Sequence, residues 1–266
     1  MFSAMEKVGA STETRRLARV VLRRGLKQAL KWGLIVRNVC DAVDAPKMVK
    51  SEIMPLTQDQ VAKLLAAAKD DWLEALYVTA VGTGLRLGEL FGLQWRDVDL
   101  NAGTLSVRHT LTEVGGKLTL TEPKTAKSRR LVTLPRRVVD ALADHRKRMV
   151  AAGFASVPFV FCNSAGGPLR RSHFHEREFK PLLERAELPA IRFHDLRHTS
   201  ATLLLKQGVH PKVVQERLGH SQISITLDIY RHVMPSMQAD AASRLDSMLV
   251  PAPPAENGGK LAVNAG

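Results

Sequence analysis

The sequence predicts a mainly α-helical protein with one small antiparallel β-sheet. Apolar residues recur with a helical period over most of the chain. One central stretch, residues 104–134, instead alternates apolar and polar residues and is rich in β-branched types, as half-buried strands are. Glycines and prolines separate these segments. Together these patterns give an α+β fold in which the strands form a single insert among helices.

The first predicted element is an amphipathic helix over residues 11–34, with apolar side chains such as Leu17 and Val21 on one face and arginines on the other. A lone helix cannot bury such a face, so we expect it to need a partner. Residues 38–54 contain Pro46, lack periodicity and are predicted to be an interdomain linker.

The main part of the chain opens with a capping box, in which Thr57 is the N-cap and Gln60 stands three residues later. Helices are predicted over about 72–81 and 86–93, separated by Gly82 and Gly84. The remaining predicted elements follow in order: strands 104–112, 117–121 and 130–134; a helix over 137–152; a short strand at 159–161; and helices over 171–186, 195–207, 211–218, 223–229 and 236–247.

Composition and charge narrow the class of function. The 266 residues are 45% apolar and 24% charged, as in ordinary globular proteins, and the net charge is +13. This excess favours a polyanionic partner, nucleic acid before acidic membrane. The chain has no apolar run long enough to span a bilayer, and Cys40 and Cys162 fit neither a disulfide framework nor a metal site. We expect a cytoplasmic, nucleoid-associated protein with no cofactor.

The basic residues form two clusters, one before residue 51 and one around the link between the second and third strands. A single charge run is usually a solvated face, but two such clusters in a strongly basic chain favour contacts with DNA phosphates. The candidate DNA-binding residues are Arg15, Arg16, Arg23, Arg24, Lys127, Arg129 and Arg130.

Arg86 lies in the motif TGLRLGEL, just after the Gly84 turn and at the start of a predicted helix. A helix N-terminus favours anions, and a guanidinium fork matches two phosphate oxygens. Glu89, one turn later, can orient the guanidinium. Taken alone, the two residues fit an ordinary surface ion pair at least as well.

His194 and Arg197 lie three residues apart in HDLRHTSAT and therefore share a helical face. His194 and His198 also have the spacing of a zinc-binding helix. We reject a metal site because Asp195 stands where such a motif has glutamate and because Arg197 and the surrounding positive charge would oppose a divalent cation. A surface pair is the alternative for His194 and Arg197.

The segment LGHSQISITLDIYRHV supplies His220, after the predicted C-cap Gly219, and Tyr230. His220 could equally be a loop histidine, and Tyr230 a tyrosine that packs on the core. The second tyrosine, Tyr77, lies in an apolar helical run and is predicted to be core. Phosphoryl transfer needs a nucleophile and groups that stabilise charge on the phosphoryl oxygens, and these motifs supply both.

These motifs in this order, with Lys124 in the PKT loop between strands, resemble the tyrosine recombinase (phage integrase) family over roughly residues 15–247. The resemblance implies that Tyr230 attacks a DNA phosphodiester and forms a 3′-phosphotyrosyl link. It implies that Arg86, Lys124, His194, Arg197 and His220 activate the phosphate, with Glu89 in support and Lys127 the rival to Lys124. It also implies double-stranded DNA as partner, a homotetramer on that DNA, and neither metal, small-molecule substrate nor membrane.

The resemblance divides the chain into a remnant of a helical core-binding domain with its linker (1–50), a catalytic domain (51–248) and a disordered tail (249–266). Only the last one or two helices of the core-binding domain are matched, so an N-terminally truncated recombinase is expected. Two alternatives stay open: a type IB topoisomerase-like enzyme with the same chemistry, and a non-catalytic DNA-binding remnant.

Overall fold

The structure, a computed structural model, describes residues 2–47, 54–122, 129–220, 222–224, 226–228, 242–243, 245–246 and 248–249. The chain divides into two compact units, Met1–Ile53 and Met54–Gly266. Among the described residues, no helix combines the length and apolar character needed to cross a membrane.

The first unit consists of two helices and a short turn. Helix α1 spans Phe2–Lys7 and α2 spans Thr12–Lys31, with the Ser11 hydroxyl accepting from the Thr14 amide as its N-cap. A 3₁₀ turn at Val39–Ala42 is fastened to α2. The predicted long helix is confirmed, although it ends at Lys31, and the predicted linker begins with regular structure. Helix α2 contains no buried residue.

The second unit starts with three helices: α3 (Gln58–Ala67), α4 (Glu74–Thr83) and α5 (Leu87–Phe91). The predicted capping box of α3 is present in full. Helix α4 is apolar on nearly all sides and lies inside the unit, packed against helices α6 (Arg136–Ala151) and α9 (Asp195–Lys206). Tyr77 on α4 is 1% exposed, which confirms its core assignment, and burial raises the pKa of its hydroxyl.

The strands are antiparallel as predicted, but they form two sheets instead of one. Strands β1 (Val98–Asp99), β2 (Thr104–Val107) and β5 (Arg130–Thr133) form the first, and β3 (Thr110–Val114) pairs with β4 (Lys117–Thr121) in the second. The predicted strand 104–112 is broken at Arg108 and His109. Arg108 Nε and His109 Nδ1 lie 3.6 and 3.5 Å from the carboxylate oxygens of the buried Asp97. At these two residues the chain leaves the first sheet and enters the second.

The remaining helices are α7 (Arg171–Phe174), α8 (Lys180–Arg185) and α10 (Pro211–Leu218). A π-helical turn, His175–Phe179, joins α7 to α8, so the predicted helix 171–186 is continuous. The predicted strand at 159–161 is wrong. Phe159 makes only an isolated bridge with Gln94, in which the Val160 amide donates to the Leu93 carbonyl and the Trp95 amide to the Pro158 carbonyl. The pairing does not continue, and the Val160 carbonyl bonds to His145 Nε2 at 2.8 Å instead. Of the predicted helices 223–229 and 236–247, residues 223–224, 226–228, 242–243 and 245–246 are helical, and the rest lie outside the described residues.

Two apolar clusters determine where the functional side chains lie. The main core surrounds α4 and includes Phe91, Phe161, Phe174 and Phe179. A smaller cluster joins α9 to α10 through residues such as Leu205 and Leu218. As a result, the end of α4, the start of α5 and the end of α10 come together beside α9.

A cationic candidate active site

The site begins at the turn between α4 and α5. Gly84 caps α4 in the left-handed conformation, with φ of +66°. A β-carbon at this position would lie 2.2 Å from Cδ2 of Leu218, so only glycine allows α10 to approach this closely. The turn makes Arg86 the N-cap residue of α5.

Glu89 holds Arg86 in two ways. Its carboxylate accepts from the Arg86 amide at 3.0 Å and from Arg86 Nη1 at 2.7 Å. The side chain of Glu89 is 4% exposed and that of Arg86 is 39% exposed, so this is a half-buried pair and not the ordinary surface pair that the sequence also allowed. Burial works to raise the pKa of Glu89, but its hydrogen bonds and ion pairs with Arg130 and Arg86 lower that pKa on balance.

Arg197 lies on the first turns of α9 and is 3% exposed. Its Nη1 donates to the Gly84 carbonyl at 2.7 Å, and its Nη2 donates to the Leu218 carbonyl at 2.8 Å. Burial, and then the positive charge of Arg86, lowers the pKa of Arg197 to about 9. The guanidinium is therefore charged at neutral pH and is anchored by neutral acceptors.

His194 is the N-cap residue of α9, and its ring packs edge-on against that of His198, with centroids 5.1 Å apart. Although part of His194 faces solvent, desolvation in the site and then the charges of His198 and Arg197 lower its pKa to about 4. His194 is therefore neutral at pH 7 and can accept a proton.

The zinc alternative finds no support in the local geometry. Asp195 accepts from Arg192 through both carboxylate oxygens, at 2.9 Å in each case. Its charge is therefore neutralised by an arginine. Among the residues that the structure describes, no three His, Cys, Asp or Glu side chains are grouped so that they could hold a metal ion.

His220 follows Gly219, which ends α10 in the left-handed conformation as predicted. Its Nδ1 lies 2.9 Å from Oγ1 of the buried Thr226, which leaves Nε2 on the opposite edge of the ring. Burial, followed by the charges of Arg197 and Arg86, lowers the pKa of His220 to about 3. The structure thus brings Arg86, Arg197, His194 and His220 into one electrostatically coupled group.

Arg130 belongs to the same group, although the sequence suggested only that it contacts DNA. Its side chain is 7% exposed, and it donates to both carboxylate oxygens of Glu89, at 3.2 and 2.9 Å. Strand periodicity offered a signal for this placement, because Arg130 alternates with Leu131 and shares a face with the buried Val132. The apolar Leu131 is the residue that faces outward.

The other candidate residues lie at varied places. Lys124, Lys127 and Tyr230 are outside the described residues. Besides Arg130, three of the proposed DNA-binding arginines form ion pairs within the chain: Arg15 with Glu6, Arg23 with Asp41, and Arg129 with Glu122. Arg24 lines a concavity of the first unit, and Arg16 lies half-buried on α2.

Arg129 and Arg130 line a cavity of about 640 Å³ in the second unit, together with Arg96, Arg108 and His109. The roles of the candidate arginines in DNA binding stay predictions.

This arrangement suits a bound anion better than any other ligand. Within the described residues of the site, Glu89 is shared between two guanidinium groups, and Arg197 relies on carbonyls. Burial, and then neighbouring positive charge, lowers the pKa values of Arg197 and His220, so both side chains are in surroundings that a nearby anion would make more favourable to their charged forms. Guanidinium and imidazole groups around an anion are the arrangement that stabilises phosphoryl oxygens.

The sequence has recognisable relatives. Residues 55–237 match the phage integrase family. The chain is 32% identical to a tyrosine recombinase XerC-like protein of Caldanaerobacter subterraneus subsp. tengcongensis, over 94% of this chain and 70% of the relative. It is 29% identical to the ICEBs1 integrase of Bacillus subtilis, over 81% of this chain and 60% of that relative. The chain thus spans about 60–70% of the length of these two proteins.

Solved structures agree with the sequence comparison. The integrase of transposon Tn1549, in complex with a circular intermediate DNA, superposes with a TM-score of 0.77 and 26% identity, covering 92% of this chain and 83% of that one. A lambda integrase tetramer bound to a Holliday junction shares the fold at 23% identity and a TM-score of 0.61, over 86% of this chain and 62% of that one. The predicted fold class and the family resemblance are both confirmed. The chain belongs to the phage integrase family, the tyrosine-type site-specific recombinases.

Proposed function

We propose that this chain cuts and rejoins double-stranded DNA through a 3′-phosphotyrosyl intermediate, with Tyr230 as the nucleophile. The observation that carries the proposal is the grouping of two arginines, Arg86 and Arg197, with His194 and His220, which are neutral at pH 7, around the end of α10 and the start of α9. Burial first, and then neighbouring positive charge, lowers the pKa values of His220 and Arg197, and Glu89, the carboxylate that pairs with Arg86, is already shared by two arginines, so the site favours a further anion. A scissile phosphate is such a centre.

Donor counting supports a phosphate between the two arginines. An arginine has five N–H donors. The described side-chain contacts of Arg197 use two of them, on the Gly84 and Leu218 carbonyls. Those of Arg86 also use two, on Glu89 and the Gly219 carbonyl. In these contacts each guanidinium is fixed through one bond from each terminal nitrogen, and its remaining N–H groups can donate to the non-bridging phosphate oxygens.

The reaction balances without a cofactor. The Tyr230 oxygen forms a bond to phosphorus while the bond from phosphorus to the 5′-oxygen breaks. One phosphodiester is exchanged for another, so the protein–DNA link keeps the bond energy that rejoining needs. Lys124 donates a proton to the leaving 5′-oxygen. His194, neutral at pH 7, accepts the phenolic proton. His220 donates to a non-bridging oxygen from Nε2 in the tautomer that has its proton there, with Nδ1 accepting from Thr226. Rejoining reverses each step.

The wider assembly is proposed on the same basis. Residues 51–248 would act as the catalytic domain and residues 1–50 as part of a core-binding domain. The Tn1549 integrase is bound to DNA and the lambda integrase forms a tetramer on a Holliday junction, which supports DNA as partner and a homotetramer as the assembled form. A nucleoid-associated location in the cytoplasm follows from DNA as substrate. Arg15, Arg16, Arg23, Arg24, Lys127 and Arg129 remain the proposed DNA contacts. Arg130 is withdrawn from that set, because its side chain is 7% exposed and bonded to Glu89 and to the Arg217 carbonyl.

The test is covalent capture of DNA. The protein is incubated with suicide duplexes that have a randomised centre and a 5′-bridging phosphorothiolate, and adducts are recovered from denaturing gels and sequenced. We expect wild-type protein to form an adduct on an enriched sequence and Tyr230→Phe to form none, with DNA affinity nearly unchanged. An adduct of undiminished yield in Tyr230→Phe would assign the nucleophile elsewhere.

A second assay separates strand exchange from topoisomerase-like relaxation. A supercoiled plasmid that contains two copies of the enriched sequence should be resolved into two circles by a recombinase. Relaxation with no change in connectivity would favour the topoisomerase-like alternative, and sequence-specific binding without any adduct would favour a non-catalytic remnant.

A further inference from the structure

Arg130, on β5, bonds to two other structural elements through a side chain that is almost wholly buried. Its two terminal nitrogens donate to the two oxygens of Glu89, and its Nε donates to the Arg217 carbonyl at 2.8 Å. Arg130 therefore ties β5 to α5 and to the end of α10. A fork of this shape fits a carboxylate on one edge and a carbonyl on the other, which a lysine cannot do.

The Arg217 carbonyl is the first of three consecutive carbonyls that each accept from a different arginine. Arg217 O accepts from Arg130, Leu218 O from Arg197 and Gly219 O from Arg86. These carbonyls end α10, where the helix dipole is negative and the last acceptors have no partners within the helix. The end of α10 thus positions both proposed phosphate-binding arginines together with Arg130.

The geometry leaves no space between Arg130 and this helix end. Gly219 has a φ of +69°, and a β-carbon there would lie 2.9 Å from Nη1 of Arg130. In the opposite direction, the Arg217 side chain donates to the Thr133 carbonyl of β5 and to the Gly82 carbonyl of α4, both at 2.8 Å. Strand β5 and helix α10 are therefore joined by reciprocal side-chain to backbone hydrogen bonds.

We propose that Arg130 is a positioning residue for DNA cleavage: it aims Arg86 by holding Glu89, and it aims Arg197 by holding the end of α10. This inference rests on the proposed function, because it assigns Arg130 a task in that reaction. Arg130 begins β5, six residues after Lys124, so the same contacts anchor the strand that follows the lysine loop. Arg130 then acts on the rate of cleavage through its neighbours.

The experiment compares Arg130→Lys and Arg130→Gln with wild type. The matched control is Arg185→Gln, which removes an exposed arginine paired with Asp71 on a different part of the surface. Folding is checked by circular dichroism, affinity by DNA binding, and chemistry by the single-turnover rate of adduct formation. If Arg130→Gln does not fold, Arg130→Lys, which keeps the charge and most of the volume, decides alone.

We expect both Arg130 variants to cleave about 10–100-fold more slowly, by analogy with the loss found when the partner that orients a metal ligand is removed. Their affinity should stay within about threefold, or about 0.65 kcal/mol, because the Arg130 side chain is buried and bonded to Glu89 and the Arg217 carbonyl. Combining Arg130→Gln with Glu89→Gln should cost little beyond Glu89→Gln alone, since both changes break one network. A rate near wild type in Arg130→Lys, or fully multiplicative effects in the double variant, would overturn the inference.

An NMR measurement tests the role of Arg130 independently of DNA cleavage. Nitrogen-15 spectra of the arginine guanidinium groups should show slow-exchanging signals of Arg86 and Arg197, assigned with Arg86→Lys and Arg197→Lys. In Arg130→Lys these signals should shift or broaden, and in Arg185→Gln they should not. If wild type forms no adduct, the proposed function fails while these spectra still decide whether Arg130 positions its neighbours. Unchanged signals of Arg86 and Arg197 would refute that role.

Discussion

Replacing Glu89 with glutamine should strongly destabilise the second unit of the structure. The Glu89 carboxylate accepts four hydrogen bonds, two from Arg86 and two from Arg130, and its side chain is 4% exposed. Glutamine keeps one acceptor oxygen and turns an NH₂ group towards guanidinium donors. The change therefore removes about half of the contacts and leaves Arg130 buried without its counter-charge.

Two independent estimates give similar magnitudes. Hydrogen bonds to charged groups contribute about 1.5–3 kcal/mol each, so the loss of two costs roughly 3–6 kcal/mol. Removing one partner of a buried ion pair costs about 3–5 kcal/mol. We therefore expect the free energy of unfolding to fall by about 3–5 kcal/mol at pH 7.

The assay is urea unfolding at pH 7, in which the midpoint should fall while the slope with urea stays the same. The matched control is Glu122→Gln, whose carboxylate pairs with Arg129 while both side chains are largely exposed. That change should cost less than about 1 kcal/mol. A Glu89→Gln variant that loses no more than the control would refute the reasoning.

The pH dependence gives a further check on the same pair. Because the pKa of Glu89 is lowered from 4.5 in the folded protein, its ionised form contributes stability in full above pH 4.5. That contribution is lost as the pH falls through the lowered pKa. The difference between wild type and Glu89→Gln should therefore narrow below pH 4.5, and a difference that is constant with pH would show that the charge is not responsible.

Three further predictions concern the chemistry and the acid stability of the protein. Arg197→Lys should lose about 2–4 kcal/mol of transition-state stabilisation, because an ammonium group cannot bond to the two carbonyls and to a phosphate as a guanidinium can. A single-turnover cleavage rate within threefold of wild type would contradict this. Folding stability should fall as the pH drops below 6.5. Burial first, and then neighbouring positive charge, lowers the pKa values of His145, His194 and His220 in the folded protein. In the unfolded chain these histidines bind protons near pH 6.5, so acid favours the unfolded state. Flat stability between pH 6.5 and 5, measured by urea unfolding, would contradict this. Adduct formation should be insensitive to EDTA, since Arg197 and Arg192 surround the histidine pair; loss of cleavage with EDTA and recovery with zinc would establish the metal site instead.

Local patterns in the sequence were sufficient to predict the helices that carry the site. The capping box of Thr57 and the glycine caps at Gly84 and Gly219 depend on residues a few positions apart, and the structure shows all three. The i, i+3 spacing of His194 and Arg197 likewise placed both at the start of α9. Such features are predictable because their partners lie within one helical turn.

Features that depend on distant partners were not predictable in this way. The break in the strand at Arg108 comes from Asp97, a buried carboxylate in another loop. The inward position of Arg130 depends on Glu89, 41 residues earlier, and on a carbonyl of α10, 87 residues later. Alternation along β5 showed that Arg130 shares a face with Val132, but it did not show that this face, and not the one with Leu131, is buried.

The choice of partners for the arginines explains how the site stays positive. If a carboxylate held each guanidinium, the group would be neutral and would not attract a phosphate. Glu89 is shared by Arg86 and Arg130, and each of Arg86, Arg130 and Arg197 also donates to a neutral carbonyl at the end of α10, with a second carbonyl, that of Gly84, for Arg197. Carbonyls fix direction without cancelling charge. The positive charge that would stabilise a transition state is therefore set in place by the backbone before DNA arrives.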